Sequence, residues 1–137
     1  MNNKLSAEEY LEQINLIDGI IVNKMRDYKR WRELADGYGG GFSVGEKVQA
    51  SKDLQRGASA IIEYVSIENE ISALNNKRQG IINTIQSLPH LEYKILYAIY
   101  VDGLMVKELP SLLNKSYETI KITKRKALEH IEDIINR

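Results

Sequence analysis

The chain has 137 residues, room for one or two small domains, and its 19 Lys and Arg balance 19 Asp and Glu to zero net charge. That balance excludes a uniformly basic polyanion binder while leaving room for a local basic face. The absence of cysteine excludes disulfides, thiol nucleophiles and thiolate metal sites.

The first residues, MNNKLSAEEYLEQ, lack the basic and apolar blocks of a signal peptide. The longest apolar runs are only a few residues, too short to cross a membrane. A cytoplasmic location is therefore expected. With two prolines, one Phe and one Trp among plentiful Ile and Leu, the composition points to an all-α fold.

The first helix is expected from Ser6, where Ser6-Ala7-Glu8-Glu9 has the form of a capping box. Tyr10, Ile14, Ile17, Ile21, Tyr28 and Trp31 then recur at gaps of four and three, with Lys24 filling the one vacant step. This is a heptad-like seam. Leu11, Ile20 and Val22 lie beside it, so a hairpin or bundle suits the helix better than a two-stranded zipper.

Residues 36 to 45, DGYGGGFSVG, are expected to break the helix. A glycine-rich loop can cradle phosphate, but Gly45 is followed by Glu46 rather than Lys, and no strand precedes it. A turn between two helices is expected here.

A second long helix, beginning between Glu46 and Lys52 and ending near Leu88, carries two apolar series. Leu54, Ala58, Ile61 and Val65 form the first. Tyr64, Ile67, Ile71, Leu74, Ile81, Ile85 and Leu88 form the second, interrupted at Arg78. Their one-residue offset predicts a stutter near Ile61 to Val65, and Gly57 marks a bend or a close crossing. The two helices make an antiparallel hairpin that buries one stripe each, so a homodimer is expected, with a monomeric bundle folded back on its own C-terminal domain as the alternative. Residues 1–87 are thus read as a helical dimerisation arm and 88–137 as a second domain.

In that second domain, Pro89 suits a first helical position, and Ile95, Leu96, Ile99 and Tyr100 form an inward face closed by Asp102-Gly103. Leu104 to Leu113 hold a short helix with Leu109, Leu112 and Leu113 inward. Asn114-Lys115 makes the turn, since Asn tolerates left-handed backbone. Ser116 caps a last helix whose inward residues are Ile120, Ala127, Leu128 and Ile131.

Between Lys115 and Lys126 five cations stand against the single carboxylate Glu118. A helix that enters the major groove uses its early residues for base edges and its flanks for phosphate. Tyr117, Glu118, Lys121 and Ile122 are candidates for the base edges, and Lys115, Ser116, Lys124 and Arg125 for the phosphates. Glu118 can accept from a cytosine amino group and Lys121 can donate to guanine. A solvated helix face is the plain alternative. Neither His90 nor His130 has an obvious partner in the sequence, and no nucleophile-base pair is visible. No enzyme, metal or cofactor is expected.

The stretch from Leu88 to Ile131 resembles region 4, the promoter-reading domain of bacterial sigma factors. The likeness rests on Leu88-Pro89, Ile95-Leu96, Tyr100, Gly103-Leu104, Glu108-Leu109, Leu112-Leu113, Ser116, Thr119-Ile120-Lys121 and Ala127-Leu128, in order and without gaps. Met105, Pro110 and Ile99 depart from that pattern, and Pro110 implies that the first helix of the pair starts late or bends. The whole architecture is similar to the ArpU and RinA type of phage late-transcription activators of Gram-positive hosts. The resemblance implies a phage or prophage helix-turn-helix regulator that binds double-stranded DNA as a homodimer. Two alternatives stand beside it: an interaction module contacting RNA polymerase or a sigma factor, and a DNA-packaging adaptor of small-terminase type.

Overall fold

A computed structural model describes residues 5–39 and 47–137. Among the described residues every regular element is helical. A long N-terminal hairpin pairs α1 (Ala7–Gly39) with α2 (Lys47–Gln86). Three helices follow: α3 (His90–Leu96), α4 (Leu109–Leu113) and α5 (Tyr117–Ile135). None of the described helices is long and apolar enough to cross a membrane.

The chain gathers into two compact units. Met1–Asp18 and Asn76–Arg137 form the first, and Gly19–Asn75 the second. The division expected at residues 87 and 88 follows the end of α2 but lies within the first unit.

In the second unit, α1 and α2 run antiparallel. Tyr28 meets Tyr64 edge to face, with ring centroids 5.7 Å apart, and its hydroxyl donates to Glu68 (3.3 Å). Arg32 lies over the Tyr64 ring at 4.9 Å. Lys24 occupies the vacant seam position and pairs with Glu70 across the hairpin.

The seam of α2 differs from the expected one. The inward positions are Gly57, Ala60, Tyr64, Ile67, Ile71 and Leu74, at unbroken gaps of three and four. There is no stutter and no helix break at Gly57. The offset series Ala58, Ile61 and Val65 is exposed and belongs to another face. Its large side chains favour it as core in the sequence, whereas the register is kept by small residues that hydrophobic patterning underweights. The side chain of Leu54, the first of that series, lies outside the described residues. On α1, Ile20 and Val22 are exposed, so the widened stripe is absent in this unit.

The helix also runs through Asp36, Gly37, Tyr38 and Gly39, where a break was expected. Helix hydrogen bonding across consecutive turns outweighs the roughly 1 kcal/mol cost of each glycine. The rest of the expected turn, residues 40–45, lies outside the described residues.

In the first unit, Ser6 caps α1: its hydroxyl accepts from the Glu9 amide (3.2 Å) and donates to the Glu9 carboxylate (3.2 Å). Leu11, Ile14, Ile17, Ile81 and Ile85 are buried along the paired helices. The Tyr10 and Thr84 hydroxyls bond at 3.0 Å. Arg78, the gap in the α2 seam, donates through Nε to Asp18 (2.7 Å). Each seam interruption is therefore a cation reaching a carboxylate on the facing helix, which pins the register of the hairpin.

Pro89 stands at the N-cap of α3 rather than at its first helical position, with extended backbone and its carbonyl accepting from Tyr93 (2.9 Å). The helix widens into a π turn over Tyr97–Val101. Asp102 and Leu104 amides take the carbonyls of Tyr97 (3.0 Å) and Ala98 (2.9 Å), and Gly103 adopts the expected left-handed conformation, φ 73°. Ile95, Ala98, Leu109 and Ile120 then form a core under Leu91, Ile99, Leu104, Val106 and Leu113.

Candidate nucleic-acid interface

Two short motifs set the geometry of α5. Asn114 adopts φ 55° and ends α4, a conformation that Asn accepts more readily than branched residues. Two residues later Ser116 turns extended, and its hydroxyl accepts from the Thr119 amide (3.1 Å). The chain therefore leaves α4 and enters α5 within three residues. Ile120, fully buried, anchors the start of α5 to Ile95, Ala98 and Leu109.

Pro110 shapes the other helix of this pair. A 3-10 turn at Val106–Glu108 precedes α4, and Pro110 falls in its first turn, where no amide is needed. The helix starts late, as the proline implied. Glu108 reaches back to accept from the Met105 amide (2.9 Å), so Met105 is tied down through its backbone although its side chain cannot cap. Leu112, expected inward, is 63% exposed. With only five residues in α4, Leu109 and Leu113 fill the available inward face.

Six of the eight sequence candidates share one groove of about 680 Å³ along α5: Tyr117, Glu118, Lys121, Ile122, Lys124 and Arg125. Val106 and Leu128 add apolar surface, and Glu8, Glu129 and Glu132 add carboxylates. Leu128, expected fully inward, is half-buried and faces this groove instead. Lys115 and Ser116 stand at the head of the helix outside the groove lining. The Ser116 hydroxyl is already engaged by the cap and by the Thr119 hydroxyl (2.8 Å).

The groove is electrically divided along the helix. Its first half carries Lys121, Lys124 and Arg125 against the single carboxylate Glu118, and its second half Glu129 and Glu132. Lys121 rests 5.4 Å from the centre of the Tyr117 ring, which holds its stem along the helix. Among the described residues, none of Lys115, Lys121, Lys124, Arg125 or Lys126 is paired with a carboxylate. These charges are thus available to an outside anion. An anionic backbone would be attracted to the first half and repelled from the second.

Sequence reasoning missed the acidic wall. Glu129 and Glu132 follow from helical spacing once the groove face is known, being seven and fourteen residues beyond Ile122 and Glu118. Glu8 is brought there by tertiary packing and had no local signal. His130 also has a partner that the sequence concealed. Its Nδ1 is hydrogen-bonded to the carboxyl of Glu92 (2.6 Å), a buried residue of α3, because α3 and α5 lie side by side. Tyr100 is buried as well, and burial, with Glu8 and Glu12 adding to it, pushes its hydroxyl up to about 12.

In comparisons with known proteins, no family model, no curated protein and no solved structure matched this chain.

Proposed function

We propose that this protein is a sequence-specific DNA-binding transcriptional regulator, of the phage or prophage kind, acting as a homodimer through a region-4-like helix-turn-helix. One observation carries the reading: unpaired Lys121, Lys124 and Arg125 occupy the first half of a well-anchored helix that follows a tight left-handed turn. That is the half a recognition helix inserts into the major groove. Tyr117, Glu118, Lys121 and Ile122 face base edges in this reading, while Lys124, Arg125, Lys115 and Ser116 face phosphates. Glu129 and Glu132 are then directed away from the duplex, which sets the tilt of the helix.

The test is titration of the full chain against tiled fragments of its own genome at several salt concentrations. A preferred fragment with affinity falling steeply in salt supports the reading. No binding at low salt overturns it.

A second reading has its own support. The groove mixes Val106, Ile122 and Leu128 with Glu8, Glu129 and Glu132, a lining suited to an amphipathic helix of a protein partner. RNA polymerase or a sigma factor would be that partner. Polymerase retention on the immobilised protein, without DNA affinity, distinguishes it.

A further inference from the structure

Two kinds of contact hold α5 within the first unit. Ile120, Ala127 and Ile131 are fully buried, and at roughly 100° per residue they fall within about 20° of one line along the helix. Apolar contacts along one line keep the helix on the core, but they are non-directional and restrain its rolling only weakly. The bond between His130 and Glu92 is of the other kind. Nδ1 of the half-exposed His130 lies 2.6 Å from Oε1 of Glu92. Among the described residues Glu92 is the one charged side chain that is buried, and the remaining ion pairs lie on the long hairpin. A buried carboxyl is costly unless it keeps its partner, so this contact has a distance and a direction to satisfy.

Helical spacing gives the bond its leverage. Measured round α5 from the buried line, Lys121, Arg125, Leu128 and Glu132 of the groove centre about 110° to one side, and His130 stands about 80° to the other. The bond therefore grips the helix on the flank away from the groove. A roll of α5 that swings the groove side chains also stretches or bends it.

We propose that the His130–Glu92 bond sets the rotation of α5 about its own axis, and so aims Tyr117, Glu118, Lys121 and Ile122. His130 and Glu92 are positioning residues and reach no base themselves. The consequence for recognition rests on the DNA reading, whereas the rotation is a property of the free protein. A roll of about 20° moves a side-chain tip, about 5–6 Å from the axis, by roughly 2 Å. Hydrogen bonds to base edges span a range of only about 0.5 Å, so such a roll breaks them. Phosphate contacts made by flexible lysine stems follow the movement. Selectivity is therefore lost before general attraction to DNA. Stability alone does not call for this pair, because apolar side chains of similar volume often replace a buried ionic pair without loss. What they cannot supply is a direction.

Three full-chain variants test the proposal. Glu92→Gln keeps the shape and can bond His130 in either sense, so it should keep the native rotation and selectivity. His130→Ala added to Glu92→Gln removes the bond and leaves a neutral amide rather than a buried charge. Glu92→Leu with His130→Leu removes it by a second route that favours folding. The phase of the amide residual dipolar couplings along α5, referred to α3, reads the rotation without DNA. Both bondless proteins should roll by about 20° or more. Both should bind the preferred duplex about tenfold more weakly, near the worth of one base contact, and a scrambled duplex within about twofold of native. Native rotation in a bondless protein overturns the proposal, as does a roll in Glu92→Gln, unchanged selectivity in a rolled protein, or an equal loss on both duplexes. Failure of both bondless proteins to fold would make the pair a structural requirement and also overturns it. A native protein that binds no DNA counts against the function alone, since the rotation is still measured.

Discussion

Replacing Lys121 and Arg125 together by Ala tests the function at the centre of the basic half-groove. The two side chains are exposed, one helical turn apart, on the groove face of α5. Neither is in an ion pair, so no carboxylate is stranded by their removal. Ala is the better helix former, so helicity should hold. The stacking of Lys121 on the Tyr117 ring disappears with the side chain, at a cost of about 0.5–1 kcal/mol for an exposed site. If both cations meet phosphate, the slope of log affinity against log salt should shrink by about 1.8. At about 0.1 M salt that corresponds to roughly a 60-fold loss of affinity, uniform across sequences. If Lys121 instead meets a guanine, its part should be about 1–3 kcal/mol and confined to the preferred site. Fluorescence anisotropy on the preferred and a scrambled duplex, between roughly 50 and 200 mM salt, separates the two cases. An unchanged slope with native affinity would refute the assignment of this face to DNA.

Further expectations concern the scaffold. Leu109→Ala should cost about 3 kcal/mol in urea unfolding, because Leu109 is fully buried at the meeting of α3, α4 and α5. Ser116→Ala should cost about 1 kcal/mol through the lost cap, whereas Ser116→Asp should keep stability and weaken DNA binding; equal affinity would remove Ser116 from the phosphate set. Gly80→Ala meets nothing within 4 Å and should stabilise by about 0.5–1 kcal/mol, while Gly103→Ala, forced to φ 73°, should destabilise by about 1 kcal/mol; thermal midpoints that moved the same way would contradict this. Tyr100 keeps its proton in the fold up to about pH 12, whereas the unfolded chain loses it near pH 10, so the fold binds more protons in that window. Stability should therefore fall there by about 1.4 kcal/mol per pH unit from this group, and Tyr100→Phe should remove that share of the slope. Tyrosinate absorbance should show one of the eight tyrosines ionising late.

Local chemistry in the sequence decided the helical nature of the chain and its punctuation. Ser6, Gly103, Asn114 and Ser116 each act through their own backbone or the next turn, so their roles need no knowledge of distant residues. The seam of α1 was equally legible, because Ile14, Ile17 and Ile21 are both large and periodic. The clustering of Lys121, Lys124 and Arg125 on one helix face follows from spacing alone.

Only tertiary structure decided which of two apolar series on α2 faces α1. Both obey helical periodicity, and the inward one is completed by Gly57 and Ala60, which carry little hydrophobic signal of their own. It likewise decided that Lys24 and Arg78 are cross-hairpin partners of Glu70 and Asp18, and that His130 meets Glu92. The acidic wall of the α5 groove was settled in the same way, since Glu8 lies more than a hundred residues from Tyr117 in the chain. Pairings of that kind depend on which surfaces are brought together once every helix has buried its stripe, and no local pattern encodes that choice.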